Sequence, residues 1–191
     1  MMDRKLLEKA IREMIIAIGE DPDREGLKNT PVRISKLYED IFSGVGKDAR
    51  KNINVYKAKN EDEMVILSDI PFYSMCEHHF LPFFGNVHIA YIPKDNQITG
   101  FSNLIDVVDT VSKRPQIQER MTTEIADTIN DMVNPLGVLV VVEARQFCVE
   151  FQGRNRKNIK TVTSAIRGAF RKNATRQEAL QLLRKVSRNE N

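Results

Sequence analysis

Ser74-Met75-Cys76-Glu77-His78-His79-Phe80 stands between two strand-like parts of the chain. The short apolar run 64–67 (MVIL) precedes this stretch, and the β-branched and aromatic segment 83–93 (FFGNVHIAYIP) follows it. The stretch holds one of the two cysteines and two of the three histidines of the chain. Most of the cysteine and histidine residues of the chain therefore lie in this one stretch.

The second cysteine, Cys148, completes a possible metal site. We interpret Cys76, His79 and Cys148 as three ligands of one zinc ion, and His78 beside them as a proton-transfer group. A catalytic zinc typically has three protein ligands and a water, whereas a structural zinc has four protein ligands. The lack of a fourth protein ligand therefore favours an open, catalytic site. The alternative is two buried cysteines and a surface histidine pair, since free cysteine is often a small core residue.

Length and composition restrict the class of protein. The 191 residues, 41% hydrophobic, suit one domain, or one domain with a helical extension. The beginning of the chain (MMDRKLLEKA) lacks the apolar core of a signal peptide, and no apolar run approaches the roughly 18 residues of a membrane span. We therefore expect a reducing cytoplasmic location and no membrane partner. A net charge of +3 is too weak to indicate nucleic acid, although basic residues cluster from Arg154 to Lys160.

Hydrophobic periodicity predicts an α+β protein. Helices are expected at 4–19, from Thr30-Pro31 to Gly44, at 102–112, at 116–133 and at 175–186. Residues 47–62 look like a connector, 83–93 and 138–144 like strands, and 146–151 like an extended continuation that carries Cys148. His88 falls on a strand face and is read as a strand histidine rather than a ligand. Clustered strands separated by helices favour a mostly antiparallel sheet.

Several motifs together resemble the GTP cyclohydrolase I family. They are Thr30-Pro31…Arg33, Phe42-Ser43-Gly44, the stretch 74–80, Ala90-Tyr91-Ile92-Pro93, Arg114-Pro115-Gln116-x-Gln118-Glu119-Arg120 and 160–168 (KTVTSAIRG). The resemblance covers nearly the whole chain. It implies a tunnelling fold (T-fold), an antiparallel sheet with helices on one face, with residues 1–62 as an N-terminal helical region and 63–191 as the catalytic domain. It also implies a homo-oligomer, usually a decamer, with active sites between subunits.

The resemblance implies a role for each matching residue. It gives Cys76, His79 and Cys148 as zinc ligands and His78 as the acid and base. Gln118 and Glu119 match residues that hold the guanine edge, Ser102 matches a ribose contact, and Arg33 and Lys36 match triphosphate contacts. The implied reaction hydrolyses the purine ring of GTP at C8, releases formate, and closes the rearranged ribose into 7,8-dihydroneopterin triphosphate, on the route to folates and pterins.

Four positions depart from the pattern of the family. Gln146, at a catalytic position two residues before Cys148, stands where histidine is usual, and glutamine cannot carry a proton. Asn103 replaces a usual lysine, and Asp106 and Gln152 each replace a usual arginine. A charge-assisted contact contributes on the order of 1.5–3 kcal/mol, so these changes affect how a triphosphate is held. Arg154, Arg156 and Lys157 could compensate.

Three hypotheses follow from the matches and the departures. The first is a GTP cyclohydrolase I with a rearranged triphosphate clamp. The second is a related zinc hydrolase that acts on a less charged purine or stops at the ring-opened formamide. The third is a non-catalytic purine-binding or assembly subunit, which the intact set of Cys76, His78, His79 and Cys148 disfavours.

Overall fold

The computed structural model describes residues 2–59, 62–152 and 159–188, in two compact units. The first unit, Met1–Ser43, contains helix α1 (Arg4–Ala17) and helix α2 (Thr30–Ile41). Asp3 caps α1 by accepting a hydrogen bond from the backbone N–H of Leu6 at 3.0 Å. Within this unit the Ser35 hydroxyl donates to the Glu8 carboxylate at 3.0 Å and so joins the two helices.

The second unit, Gly44–Asn191, carries the sheet. In chain order, after a 3-10 helix at Ala49–Asn52, its elements are β1 (Val55–Lys57), β2 (Val65–Cys76), β3 (Pro82–Ile92), β4 (Gln97–Thr99), α3 (Phe101–Ser112), β5 (Pro115–Gln116), α4 (Gln118–Val133), β6 (Gly137–Gln146), α5 (Phe147–Glu150), β7 (Lys160–Gly168), a second 3-10 helix at Ala169–Arg171, and α6 (Asn173–Arg188). Five strands form one sheet in the order β5-β2-β3-β6-β7. Its pairs are antiparallel except for the parallel pair β5–β2. The predicted α+β class with a mostly antiparallel sheet is confirmed.

The core lies between the sheet and helices α3 and α4. Alternate residues of the central strands, among them Val87, Ile89 and Val140, are fully buried against Leu104 and Ile125 of these helices. Burial of this apolar surface is the main stabilising contribution, at roughly 25 cal/mol per Å². The intervening strand residues face the opposite side of the sheet, as the two-residue period of a strand requires.

Helix α6 covers part of that opposite side. Ala179 and Leu180 of α6 pack with Phe170, Ala90 and Leu139 in a second, smaller apolar cluster. The sheet therefore carries two helices on one face and part of a third on the other.

Two stretches of the chain differ in detail from the sequence expectation. The connector at 47–62 contains β1, which pairs with β4 in a separate two-stranded sheet. The apolar run at 64–67 is only the beginning of β2, which continues to Cys76 through an irregularity after Leu67. Asp69 at this irregularity has a φ of 57°, in the left-handed region.

His88 is a strand histidine, as predicted. It lies on β3 and is 6% exposed. Its Nδ1 accepts a hydrogen bond from the backbone N–H of Asp69 at 3.2 Å. Because that nitrogen is the acceptor, the proton of the neutral ring is on Nε2.

None of the helices within the described ranges is long and apolar enough to cross a membrane.

Candidate metal centre and its surroundings

Sheet topology brings the two cysteines to the same end of the molecule. Strand β2 ends at Cys76, and β6 ends at Gln146, two residues before Cys148. Strand β3 lies between them, and its Phe83 is paired with Ser74 of β2 on one side and with Gln146 of β6 on the other. Because antiparallel neighbours alternate in direction, the ends of β2 and β6 and the beginning of β3 meet.

A tight loop after β2 turns His79 back toward Cys76. The Phe80 N–H donates to the Cys76 carbonyl at 2.9 Å, and the Cys76 N–H donates to the Leu81 carbonyl at 2.9 Å. Phe80 has a φ of 51°, the left-handed conformation that lets the chain reverse. As a result His79 Nδ1 lies 3.8 Å from Cys76 Sγ.

The segment that carries Cys148 is helical, so the prediction of an extended segment at 146–151 is wrong. Residues Phe147–Glu150 form one turn, closed by a hydrogen bond from the Phe151 N–H to the Phe147 carbonyl at 3.0 Å. The rings of these two phenylalanines lie 5.3 Å apart, and Arg145 pairs with Glu150 at 2.9 Å. The ring contact, between residues four apart, favours the helical turn, and Cys148 within that turn is 8% exposed.

Cys76, His79 and Cys148, the metal cluster hereafter, form a group that could hold a metal ion. Their ligand atoms all lie within 4.8 Å of one another. Burial, together with the neighbouring Cys76, raises the pKa of the Cys148 thiol. The sequence prediction that these three residues come together is confirmed by this geometry.

His78 lies next to the metal cluster but points to solvent. Its side chain is 65% exposed, and its Nε2 is 3.9 Å from the Glu77 carboxylate. Glu77 is held by Arg120, whose guanidinium lowers the pKa of that carboxyl. The Glu77 N–H also donates to the Gln116 carbonyl at 3.0 Å, and Arg120 Nε donates to Gln116 Oε1 at 2.9 Å.

The ion pair of Glu77 and Arg120 joins the loop after β2 to the first turn of α4. Arg120 has no role predicted from the sequence, although it lies in the motif at 114–120. Complementary charges on residues 43 apart carry no local periodicity, so only the fold shows that they meet.

Gln118 forms an amide network with Gln146 and Thr161. Its side chain is 4% exposed. Gln118 Nε2 donates to the Val142 carbonyl at 2.9 Å and to the Thr161 carbonyl at 3.2 Å. Gln118 Oε1 accepts from Gln146 Nε2 at 2.8 Å and from the Thr161 hydroxyl at 2.6 Å. Two donors and two acceptor sites are the full capacity of a side-chain amide, and all are used here.

Two of the departures from the family pattern touch the metal cluster. With its Nε2 held by the amide network, Gln146 turns its Oε1 toward Cys148, whose Sγ lies 3.9 Å away. Gln152 places its side-chain nitrogen 3.1 Å from His79 Nε2. Both side chains are neutral amides.

The other two departures lie on α3. Asn103 is buried, and its amide donates to the Asn52 carbonyl, whereas Asp106 is exposed. Ser102 is exposed at the beginning of the same helix. The basic residues Arg154, Arg156 and Lys157 lie outside the described residues.

The remaining predicted substrate contacts are solvent-exposed. Glu119 is in the first turn of α4, next to the buried Gln118. Arg33 and Lys36 lie on α2 in the first unit, and both are exposed.

Fold and site together define an α+β protein with a Cys₂His metal cluster at one end of its sheet. The model of the family "GTP cyclohydrolase I" matches residues 7–184. The chain is 52% identical over 185 residues to GTP cyclohydrolase 1 of Pelotomaculum thermopropionicum, covering 96% of this chain and 98% of the relative. It is 50% identical over 184 residues to GTP cyclohydrolase 1 of Carboxydothermus hydrogenoformans, covering 96% of each.

The chain belongs to the GTP cyclohydrolase I family. Membership confirms the predicted family and its tunnelling fold. Among solved structures, the archaeosine synthase QueF-Like in the apo form is similar to 56% of this chain and 94% of its own, with a TM-score of 0.45 and 17% identity. That similarity is too distant to bear on function.

Proposed function

We propose that this protein is a zinc-dependent hydrolase that opens the guanine ring of GTP and yields formate and 7,8-dihydroneopterin triphosphate. The observation that carries the proposal is the metal cluster, three ligand atoms within 4.8 Å in a chain of the GTP cyclohydrolase I family. Two thiolates and one imidazole suit zinc, and three protein ligands leave a fourth position open.

A zinc ion, which Cys76, His79 and Cys148 would hold, would lower the pKa of a water and make it a nucleophile near neutral pH. His78 is the group of this chain that moves protons in the proposal, because an imidazole can both accept and donate a proton and this one is exposed beside the cluster. Its Nε2 lies 3.9 Å from the carboxylate of Glu77, which is itself held by Arg120. Gln146 does not ionise and so acts only by hydrogen bonding.

Glu119 is the residue that we assign to the guanine edge. Its exposed carboxylate can accept two N–H donors, which matches the edge of a guanine. Gln118 acts indirectly in this proposal, because its side-chain amide is hydrogen-bonded within the chain and holds Gln146 in place. Ser102 contacts the ribose in this proposal, and Arg33 and Lys36 contact the triphosphate.

We further propose a cytoplasmic homo-oligomer, a decamer, with active sites between subunits. Exposed apolar side chains on the first unit support an interface, because large apolar surfaces in contact with water are unfavourable. On α1 these are Leu6, Met14 and Ile16, each more than half exposed. Sedimentation of the purified protein measures the number of subunits in the oligomer.

Incubation of the zinc-loaded protein with GTP tests the activity. Chromatography with mass detection should show formate release and a dihydropterin triphosphate. Cys148→Ser should abolish both products together with zinc retention, whereas His78→Ala should abolish turnover and keep the zinc. Unchanged GTP in the presence of stoichiometric zinc would contradict the proposal.

A second candidate function, hydrolysis of a less charged purine, is favoured by the surface of α3. There Asn103 is directed to the Asn52 carbonyl, and Asp106 presents a carboxylate to solvent. Neither can attract a polyphosphate. The preference is measured by comparing kcat/KM for GTP, guanosine monophosphate and guanosine in the parent and in a variant with Arg33→Ala and Lys36→Ala.

Accumulation of a ring-opened formamide would indicate that Gln146 limits the reaction. In that case Gln146→His should raise pterin formation, because a positioned general acid or base contributes roughly 10²–10⁴-fold. If the formamide accumulates equally in this variant, Gln146 is not the cause.

A further inference from the structure

The two ring nitrogens of His79 have different neighbours. Nδ1 is 3.8 Å from Cys76 Sγ and so faces the other members of the metal cluster. Nε2 is 3.1 Å from the side-chain amide nitrogen of Gln152 and so faces away from the cysteine. Nδ1 is therefore the ligand atom of His79, and Gln152 lies at the outer nitrogen.

Ligation at Nδ1 fixes the proton of the ring. A neutral imidazole that gives its Nδ1 lone pair to a cation keeps its hydrogen on Nε2, which makes Nε2 a donor. The partner must then be an acceptor. Rotating the planar amide of Gln152 by 180° exchanges Oε1 and Nε2 at nearly the same place, so the same side chain supplies the acceptor.

We propose that Gln152 is a positioning residue for the metal centre: its Oε1 accepts a hydrogen bond from His79 Nε2–H and holds the ring with Nδ1 toward the cluster. The inference rests on the metal cluster and requires no particular substrate. Outer partners of ligating histidines contribute about 10–100-fold in metal affinity. Gln152 is exposed, and water competes for the same hydrogen bond, so about 10-fold is the expected contribution.

Hydrogen-bonding capacity separates this role from a role in holding phosphate. Glutamine both donates and accepts, whereas an arginine guanidinium only donates. Arginine at position 152 would improve a phosphate contact, but it could not accept the hydrogen of His79. The two roles therefore predict opposite effects of one substitution on two measurable affinities.

The test measures Zn²⁺ affinity by competition with a chromophoric chelator, at one pH and without nucleotide. Gln152→Ala should weaken Zn²⁺ binding about 10-fold, and Gln152→Arg at least as much. Gln152→Glu should equal or exceed the parent, because a carboxylate is the stronger acceptor. Gln177→Ala, at an exposed position of α6, is the matched control and should leave the affinity unchanged.

The absorption spectrum of the Co²⁺-substituted protein gives a second readout, since it reports ligand geometry directly. The spectrum should differ from that of the parent in Gln152→Ala and Gln152→Arg, and it should match that of the parent in Gln152→Glu. Equal affinity and equal spectra in all three variants would overturn the proposal. Equal weakening in all three would also overturn it, because the loss would then not follow the acceptor. None of these results depends on GTP turnover, so failure of the proposed activity remains distinguishable.

Discussion

Replacing Gln118 by glutamate tests the amide network that holds Gln146 beside the metal cluster. The substitution keeps the size of the side chain and exchanges one N–H₂ group for an oxygen. That group donates to the Val142 carbonyl at 2.9 Å and to the Thr161 carbonyl at 3.2 Å. After the change, an ionised carboxylate oxygen faces two carbonyl oxygens at a site that is 4% exposed.

The expected cost at pH 7 is about 3 kcal/mol in the free energy of unfolding. Two neutral hydrogen bonds are lost at about 1 kcal/mol each, and burying an acceptor without a donor costs roughly 1–3 kcal/mol. The hydrogen bonds from Gln146 Nε2 and the Thr161 hydroxyl remain and offset part of this cost. About 3 kcal/mol is a large part of the 5–15 kcal/mol typical of a folded domain.

The sign of the pH dependence follows from the same contacts. Burial and two facing carbonyls raise the pKa of the introduced carboxyl above that of an ordinary glutamate. The destabilisation is therefore complete at neutral pH and is relieved as pH falls through the raised pKa, because the protonated carboxyl regains an O–H donor. Gln118→Met, which cannot ionise, should show a cost independent of pH.

Urea unfolding of the metal-free protein measures both variants, with chelator present and at one protein concentration. Chelation removes the effect of metal release at low pH. The difference in free energy of unfolding between Gln118→Glu and the parent should become smaller as the pH is lowered from 7 to 5. The corresponding difference for Gln118→Met should stay the same. If Gln118→Glu is as stable as the parent at pH 7, the reasoning about the network is refuted.

Three further outcomes are expected. Gly85→Ala should lower the free energy of unfolding by about 3 kcal/mol, because its Cβ would lie 1.9 Å from the Glu143 carbonyl oxygen. Urea unfolding measures this loss, with Asn86→Ala at the neighbouring position as the control. Removing Zn²⁺ held at 100 times its Kd should lower the thermal unfolding midpoint by about 5–10 °C in the parent, and much less in Cys148→Ser. Arg12 lowers the pKa of Asp23, so Asp23→Asn should be destabilising at pH 7. The difference in thermal unfolding midpoint between this variant and the parent should shrink as pH falls through the lowered pKa, because the native carboxyl then also loses its charge.

Long elements with regular periodicity could be predicted from the sequence. Helix α1 and strand β3 were predicted within two residues of their observed limits, because their apolar residues repeat with the period of the element. Strand β1 was not predicted, since three exposed residues have no period to detect. Helix α5 was predicted wrongly because a single turn of four residues is too short to show a helical period, and the contact of the Phe147 ring with Phe84 of β3 appears only in the fold. The domain division between residues 62 and 63 stays a prediction.

The metal cluster was predictable because cysteine and histidine are rare in this chain, so few combinations exist. The neighbours of the cluster were not predictable to the same extent. An amide such as Gln118 can face a ligand or the backbone, and the position of two carbonyls on β6 and β7 decides between them. The contact between Gln152 and His79 likewise joins residues 73 apart and depends on the turn at α5.

Charge near the metal and charge near a substrate phosphate are separable in this chain. Two thiolates, a neutral imidazole and a divalent cation sum to zero, and the amides of Gln146 and Gln152 that touch the cluster add no charge. Arg120 is compensated by Glu77. The contribution of the Gln152 hydrogen bond to metal affinity therefore involves no net charge and should have little sensitivity to salt, whereas any preference for a triphosphate must arise from exposed cations elsewhere and weaken as salt screens them. Gln152→Ala, which changes no charge, should accordingly change zinc affinity equally at low and high ionic strength, and Arg33→Ala should change nucleotide affinity mainly at low ionic strength.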